Sequence, residues 1–311
     1  MTDFGALNNY MVPEPHPLIG AKTIQLLVLR EILDYTVLRT EETRELNTVS
    51  TPLSFDDTTV VRRVAFLASK QKAAESRELE AVLRTATREA GMQPDVCYLK
   101  DDLCMKCPRC GLFGATSTKP NQAERANIKH RIEYSTAFSL MPFADVSTEI
   151  TFNAVNERDS TTGQALGSRF AVTPATLFPS VISLKSVTER ELILAVKTLL
   201  SCKGYGAETR TGGDVRNIVV GIVAGWEEAI TSLELALELY KIQTDLTSGH
   251  LAAILREKYI PMTGNPSQIV VLDPAEIDRT IRACADTALD ATFLRKSYDD
   301  IARYRAVQIS G

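Results

Sequence analysis

Apolar and polar residues alternate in several short stretches of the chain and recur at helical spacing in others. Between Lys22 and Thr40, Ile24, Leu26 and Val28, then Leu33, Tyr35 and Val37, fall at every second position, which predicts a buried strand pair. The run is also long and Leu-rich enough for a helix. Residues 58–90 read as helical, with Leu79, Val82, Leu83 and Ala86 on one face and Ser76 as a cap. Ile150, Phe152 and Ala154 alternate with Thr151 and Asn153, and Phe170 and Val172 answer them beyond the polar connection 156–167. That pattern predicts a long hairpin. Thr188 and Glu191 have the spacing of a capping box, opening a helix through Leu200, and a strand is expected over Asn217 to Val223. Trp226, Ile230, Leu233, Leu237 and Tyr240 mark an amphipathic helix, and Asp273-Pro274-Ala275-Glu276 starts another. Between them, Thr247 to Pro266 holds a short helix and a Gly-Asn-Pro break. Residues 1–21 carry Pro13, Pro15 and Pro17 at alternate positions and read as an extended arm. Together these elements make a mixed α+β protein.

The 311 residues suffice for one large core or two smaller ones without disulfides. Six cysteines then argue for a reducing compartment. There is no basic-then-apolar amino terminus and no apolar run long enough to span a bilayer, so a soluble cytoplasmic protein is expected. A net charge of -4 counts against a chain-wide attraction to nucleic acid, so any such surface must be local.

Four of the cysteines crowd into one short window. Cys104, Cys107 and Cys110 form a C-x2-C-x2-C run, and Cys97 lies near enough upstream to add a fourth thiolate. This is metal-ligand spacing, with Pro108 and Gly111 placed to permit a tight turn. Zinc is the first choice. An iron–sulfur cluster is the alternative, although no cysteine follows Cys110 until Cys202. Buried free cysteines are the plain reading, and His130 could replace one thiol.

The same segment is locally basic. From Cys97 to Arg131 seven Lys or Arg stand against three acids, before any bound thiolates are counted. Lys129, His130 and Arg131 are followed by Tyr134 and Phe138, a mixture suited to phosphate contact and base stacking, or equally to a core strand with charged ends. Gly204 to Gly213 holds four glycines with Thr209 and Arg210 among them, so backbone N–H groups could approach phosphate oxygens. It lacks the Lys-Ser/Thr ending of a P-loop and the dinucleotide spacing, which argues against a nucleotide cofactor. With only three histidines, neither a Ser-His-Asp set nor a histidine-based catalytic zinc motif can be assembled, so no catalytic residue is expected.

The string Cys104 to Gly114, C-x2-C-x2-C-x-x-F-G, resembles the zinc motif of Cas-seven-type backbone subunits of the RAMP superfamily. Asn127 to Arg131, Thr173 to Pro179 and Gly204 to Gly213 extend the resemblance in order, and together they are similar to the type I-D CRISPR subunit. The likeness runs from about Thr23 to Gly225. It implies an RRM-like (ferredoxin-like) core, discontinuous over 22–57 and 132–225, with a helical and zinc-binding insertion at 58–131. A thumb-like hairpin at 148–172 and a helical C-terminal region, 226–311, complete the arrangement. It implies a non-catalytic subunit that lines up with further copies of itself along a CRISPR guide RNA, beside other subunits, and presents it to a target DNA strand. The metal ligands would be Cys97, Cys104, Cys107 and Cys110, holding zinc. The RNA-binding residues would be Arg39, Lys70, Lys72, Lys119, Lys129, His130, Arg131, Lys203, Tyr205, Gly206, Arg210 and Arg216. Some relatives cut target RNA through an acidic loop residue, and Asp34, Glu41, Glu42, Glu45, Asp56 and Asp57 occupy that region here. Metal-dependent cleavage is therefore the first alternative, and an iron–sulfur redox protein the second.

Overall fold

A computed structural model describes residues 4–39, 45–94, 96–98, 102–116, 127–152, 157–161, 167–207, 213–242 and 248–310. The first part of the chain forms β1 (Thr23–Ile32), β2 (Thr48–Pro52), β3 (Val60–Phe66), α1 (Ala68–Glu89) and the short α2 (Pro108–Phe113). Next come β4 (Ile132–Tyr134), β5 (Ala137–Phe138), α3 (Phe143–Val146), β6 (Ser147–Phe152), β7 (Gly167–Val172) and β8 (Leu177–Lys185). The remainder is α4 (Glu189–Ser201), β9 (Val215–Gly225), α5 (Ser232–Lys241), α6 (Ser248–Ile254), β10 (Val270–Val271), α7 (Pro274–Asp286) and α8 (Ala291–Ser310). The protein is a mixed α+β fold with antiparallel sheets.

The main sheet runs β10-β9-β1-β8-β4, every pair antiparallel. Its central strand β1 is buried almost throughout because both faces of the sheet are covered. Ile24, Leu26 and Val28 face a core shared with α1, α2, α4, α7 and α8. Leu27 and Leu29 face the opposite core, closed by α5 and α6. The every-second-residue pattern thus reports two apolar faces. Two smaller sheets, β2-β3-β5 and the β6–β7 hairpin, lie outside it.

Local signals explain several boundaries. The Thr188–Glu191 and Asp273–Glu276 capping boxes open α4 and α7 as expected, and β6 pairs with β7 across the predicted hairpin. Other expectations change. The strand pair predicted between Lys22 and Thr40 is one ten-residue strand, Thr23–Ile32, after which Thr36 bridges to Val172. Residues 60–66 form a strand, because Val60, Val61 and Val64 favour an extended backbone and pair with 48–52. Ser76, expected as a cap, is buried inside α1, which begins after Leu67. Trp226 and Ile230 precede α5, which starts at a Thr231–Glu234 capping box. The arm expected over 1–21 is seated on the core: Gly5–Tyr10 makes a 3-10 turn that buries Phe4 and Leu7. The boundary drawn at residue 58 cuts the β2–β3 hairpin, and the C-terminal region supplies β10 to the main sheet, so neither part stands apart.

A buried polar network fastens these layers. Arg30 on β1 pairs with Glu75 of α1 at 2.8 Å, and both are essentially inaccessible. Arg30 Nη1 also donates to Tyr205 Oη at 3.0 Å and Asn217 Oδ1 at 2.9 Å. Glu75 accepts from Tyr134 at 2.6 Å and Tyr205 at 2.8 Å. Burial is the largest single influence on the Arg30 pKa and lowers it, but Glu75, Tyr205 and Tyr134 together outweigh it, raise the pKa and keep the guanidinium charged. Burial, then Glu75, holds the Tyr134 and Tyr205 hydroxyls well above their usual range.

Glu75→Ala should lower stability by about 3–5 kcal/mol, because it strands a buried guanidinium and removes the acceptor of two phenols. Urea unfolding checks this; an unchanged midpoint would show that the network is dispensable.

Candidate metal centre and nucleic-acid interface

The cysteine segment folds around a left-handed residue. Met105 has φ 57°, and the turn it makes aims the backbone N–H groups of Lys106 and Cys107 at Cys104 Sγ, at 3.4 and 3.3 Å. Cys107 then caps α2, its sulfur accepting from Cys110 N at 3.5 Å, with Pro108 at the first helical position. The tight turn thus lies at Met105, while Pro108 and Gly111 belong to the helix. Gly111 is needed for another reason: a Cβ there would stand 2.1 Å from Ile301 Cδ1, so α8 packs directly on α2.

Cys97, Cys104, Cys107 and Cys110 bring their sulfurs within 4.8 Å of one another. The Cys97–Cys110, Cys97–Cys107 and Cys104–Cys110 separations are 3.5, 3.8 and 4.0 Å. Four thiolates around one tetrahedral ion with bonds of about 2.3 Å would lie about 3.8 Å apart, so the set fits a single metal ion. A cluster of several irons would hold its cysteines farther apart. His130 is outside this group; its ring is 3.8 Å from Glu133. The pKa of Cys107 is held well above the ordinary value by its hydrogen bonds to Cys104, Cys110 and Cys97, aided by burial. Such a crowd of thiols needs a cation to ionise together. Cys202 and Cys284 differ: each is buried alone, and burial pushes its thiol up to about 12.

Further side chains fix the centre. Glu80 of α1 lies 3.9 Å from Cys107 Sγ and pairs with Arg84, which reaches the Cys97 carbonyl. Arg109, buried, donates to Ser76 Oγ at 2.8 Å and approaches Cys110 Sγ at 3.9 Å. Ile301 and Tyr304 of α8 cover the sulfurs with Met105 and Ile128. Sequence reasoning missed Glu80, Ser76 and the α8 residues as supports, because only folding brings them to the cysteines.

The expected RNA-binding residues divide. Lys129, His130, Lys203 and Arg216 are exposed, and Arg39, Lys70, Lys72 and Gly206 half-buried. Arg216 bonds Glu31 through Nε at 2.9 Å. Arg131 and Tyr205 are corrections. Arg131 is fully buried, forked onto Glu191 of α4 with one contact of 2.6 Å, and Tyr205 is locked in the Arg30–Glu75 network, so neither can meet a ligand. Both are instead anchors, tying the segment after α2 and the glycine loop to the core. Lys119 and Arg210 lie outside the described residues, as do Glu41 and Glu42.

Cys107→Ser should abolish metal retention and lower the unfolding temperature by roughly 5 °C, the shift expected for a loss of about 3 kcal/mol in a chain of this size. Elemental analysis and a thermal scan check it; full metal content in the variant would refute the assignment of this ligand.

The crystal structure of Thermofilum pendens Csc2 shares the fold, with a TM-score of 0.70 at 20% identity over 100% of this chain and 98% of that one. More distant in shape are a chain of a CRISPR RNA-guided surveillance complex (TM-score 0.48, 13% identity, 91% of this chain and 99% of that one) and Methanopyrus kandleri Csm3 (0.39, 15%, 66% and 77%). No curated protein matches. The model of the Csc2 CRISPR family matches residues 10–269, and with most of its length inside that match the chain belongs to the Csc2 family, a Cas-seven-type branch of the RAMP proteins.

Proposed function

We propose that the chain is the guide-RNA-binding backbone subunit of a type I-D CRISPR interference complex in the cytoplasm. Copies lie head to tail along one RNA, beside the other subunits, and present it to a target DNA strand. The family match over residues 10–269 carries this reading. The order β1-α1-β4-β8-α4-β9, with the strands arranged β9-β1-β8-β4 and both helices in one core, supports an RRM-like centre of the β-α-β-β-α-β kind. The β6–β7 hairpin is a separate two-stranded sheet and suits a thumb. Of its tip, 156–167, residue 156 and residues 162–166 lie outside the described residues. Zinc suits the four cysteines, since it takes tetrahedral thiolates and needs no redox chemistry.

Exposed Lys203, Arg216 and Lys129 offer single phosphate contacts. Repeated along a strand by successive copies, such weak contacts add up despite a net charge of -4. A non-catalytic role agrees with the work of the nearby carboxylates. Asp34 accepts from Tyr35 N at 2.7 Å, Asp57 from Thr59 N at 2.9 Å, and Asp56 pairs with Lys241 at 2.5 Å. These are turn and tether contacts.

Native mass spectrometry with and without a guide-length RNA, alongside metal analysis, tests the proposal. A ladder of added subunits, each with one zinc, is expected; a monomer that ignores RNA would overturn it. Lys203→Ala with Arg216→Ala should weaken RNA binding and reduce the slope of log affinity against log salt by about one to two, read by fluorescence anisotropy.

A further inference from the structure

Four thiolates around one divalent ion carry a net double negative charge. Cys97, Cys107 and Cys110 are almost inaccessible, so that charge is largely removed from water and needs a donor at each sulfur. Backbone amides serve three of the four. Cys97 Sγ accepts from Cys104 N at 3.5 Å, Cys104 Sγ from Lys106 N and Cys107 N at 3.4 and 3.3 Å, and Cys107 Sγ from Cys110 N at 3.5 Å. Cys110 differs because of its place in the chain. It lies inside α2, where the next amide, Gly111 N, is spent on the Cys107 carbonyl at 3.1 Å. Among the described residues its sulfur receives no backbone N–H. The donor that faces it is the side chain of Arg109, whose Nη1 stands 3.9 Å away.

That guanidinium is aimed from α1. Arg109 Nε donates to Ser76 Oγ at 2.8 Å, and both residues are buried. Ser76 is neutral, so it orients the fork without taking its charge. The other charges near the sulfurs are already matched to one another. Glu80, 3.9 Å from Cys107 Sγ, brings a carboxylate to the centre, and Arg84 answers it at 3.2 Å. Arg131 is committed to Glu191. Arg109 pairs with no carboxylate among the described residues, so the thiolates are its counter-charge and it is theirs.

Partners beyond the ligands help to set how tightly an ion is held, and losing one costs about ten- to a hundredfold in affinity. We propose that Arg109 is the charge-balancing partner of the metal centre: its guanidinium supplies the N–H that Cys110 Sγ lacks and offsets one of the two surplus negative charges. This role rests on reading the four cysteines as a metal site. It also gives α1 a part in metal retention, since Ser76 decides where the positive charge sits.

Cobalt(II) exchanged into the full-length protein reports on the sulfurs directly, because its thiolate-to-metal charge-transfer band moves to lower energy when a thiolate loses a hydrogen bond. Arg109→Gln is expected to shift that band to lower energy and to hold zinc about tenfold more weakly in competition with a chelator. Arg109→Lys should recover most of the difference, because it keeps a cation beside Cys110. Ser76→Ala leaves the guanidinium in place but frees it, and should move the band the same way by less. If Arg109→Gln does not fold, Ser76→Ala decides: a shifted band supports the role, and an unmoved one overturns it. A folded Arg109→Gln protein with the band and zinc affinity of the unsubstituted chain would also overturn it, while the metal reading stands. Weaker binding with an unmoved band, equal in Arg109→Gln and Arg109→Lys, would mark a packing role and refute charge balance. An unsubstituted chain that takes up neither zinc nor cobalt would remove the metal reading and the role of Arg109 together.

Discussion

The Arg30–Glu75 ion pair is the constraint on which the other parts of the molecule depend. Removing two charges from water is costly, and the pair persists because nearly every donor and acceptor around it is occupied. The Arg30 plane also lies near the rings of Tyr205 and Phe66, at 5.2 and 5.8 Å to their centroids. One guanidinium thereby orients the central strand, the long helix, the edge strand β4 and the glycine loop. A hydrophobic core alone would permit small slides of α1 over the sheet. Directional bonds, from Arg30 to Glu75 and from Ser180 Oγ on β8 to Gln71 Oε1 of α1 at 2.9 Å, do not.

A second buried pair repeats the device at the cysteine end. Arg131 follows the cysteine segment and grips Glu191, which already closes the capping box of α4. Its ring-stacking partner is Tyr304 of α8, 5.8 Å from the guanidinium carbon. The centre is consequently braced by α1 through Glu80 and Ser76, by α4 through Arg131, and by α8 through Ile301 and Tyr304. The cysteine site belongs to the packing of the whole domain more than to a detachable module.

Sequence alone disclosed what depends on spacing. Three cysteines at two-residue gaps with a fourth upstream, the Thr188–Glu191 and Asp273–Glu276 boxes, and the alternation around Ile150 are local signals that tertiary contacts did not override. Long-range partners erased other signals. Arg131 and Tyr205 carry the groups that an RNA site uses, and nothing near them in the chain reveals Glu191 or Glu75, 60 and 130 residues away. Ser76 looks like a cap until Arg109 is seen bonded to it in mid-helix. Trp226 joined an apolar period that the strand before it and the Thr231 cap divide between two elements. Propensity is a weak prior, and these are positions where contact decided the outcome.

The cover over the cysteine centre is made late. Ile301 and Tyr304 follow Cys110 by nearly two hundred residues, and Gly111 leaves the room that Ile301 fills. On the ribosome, the four thiols emerge long before their lid exists. During that interval they are open to metal delivery, and equally to oxidation or a wrong ion. Docking of α8 then packs Ile301 and Tyr304 onto the thiols, so the order of residues along the chain sets how long the four sulfurs stand uncovered.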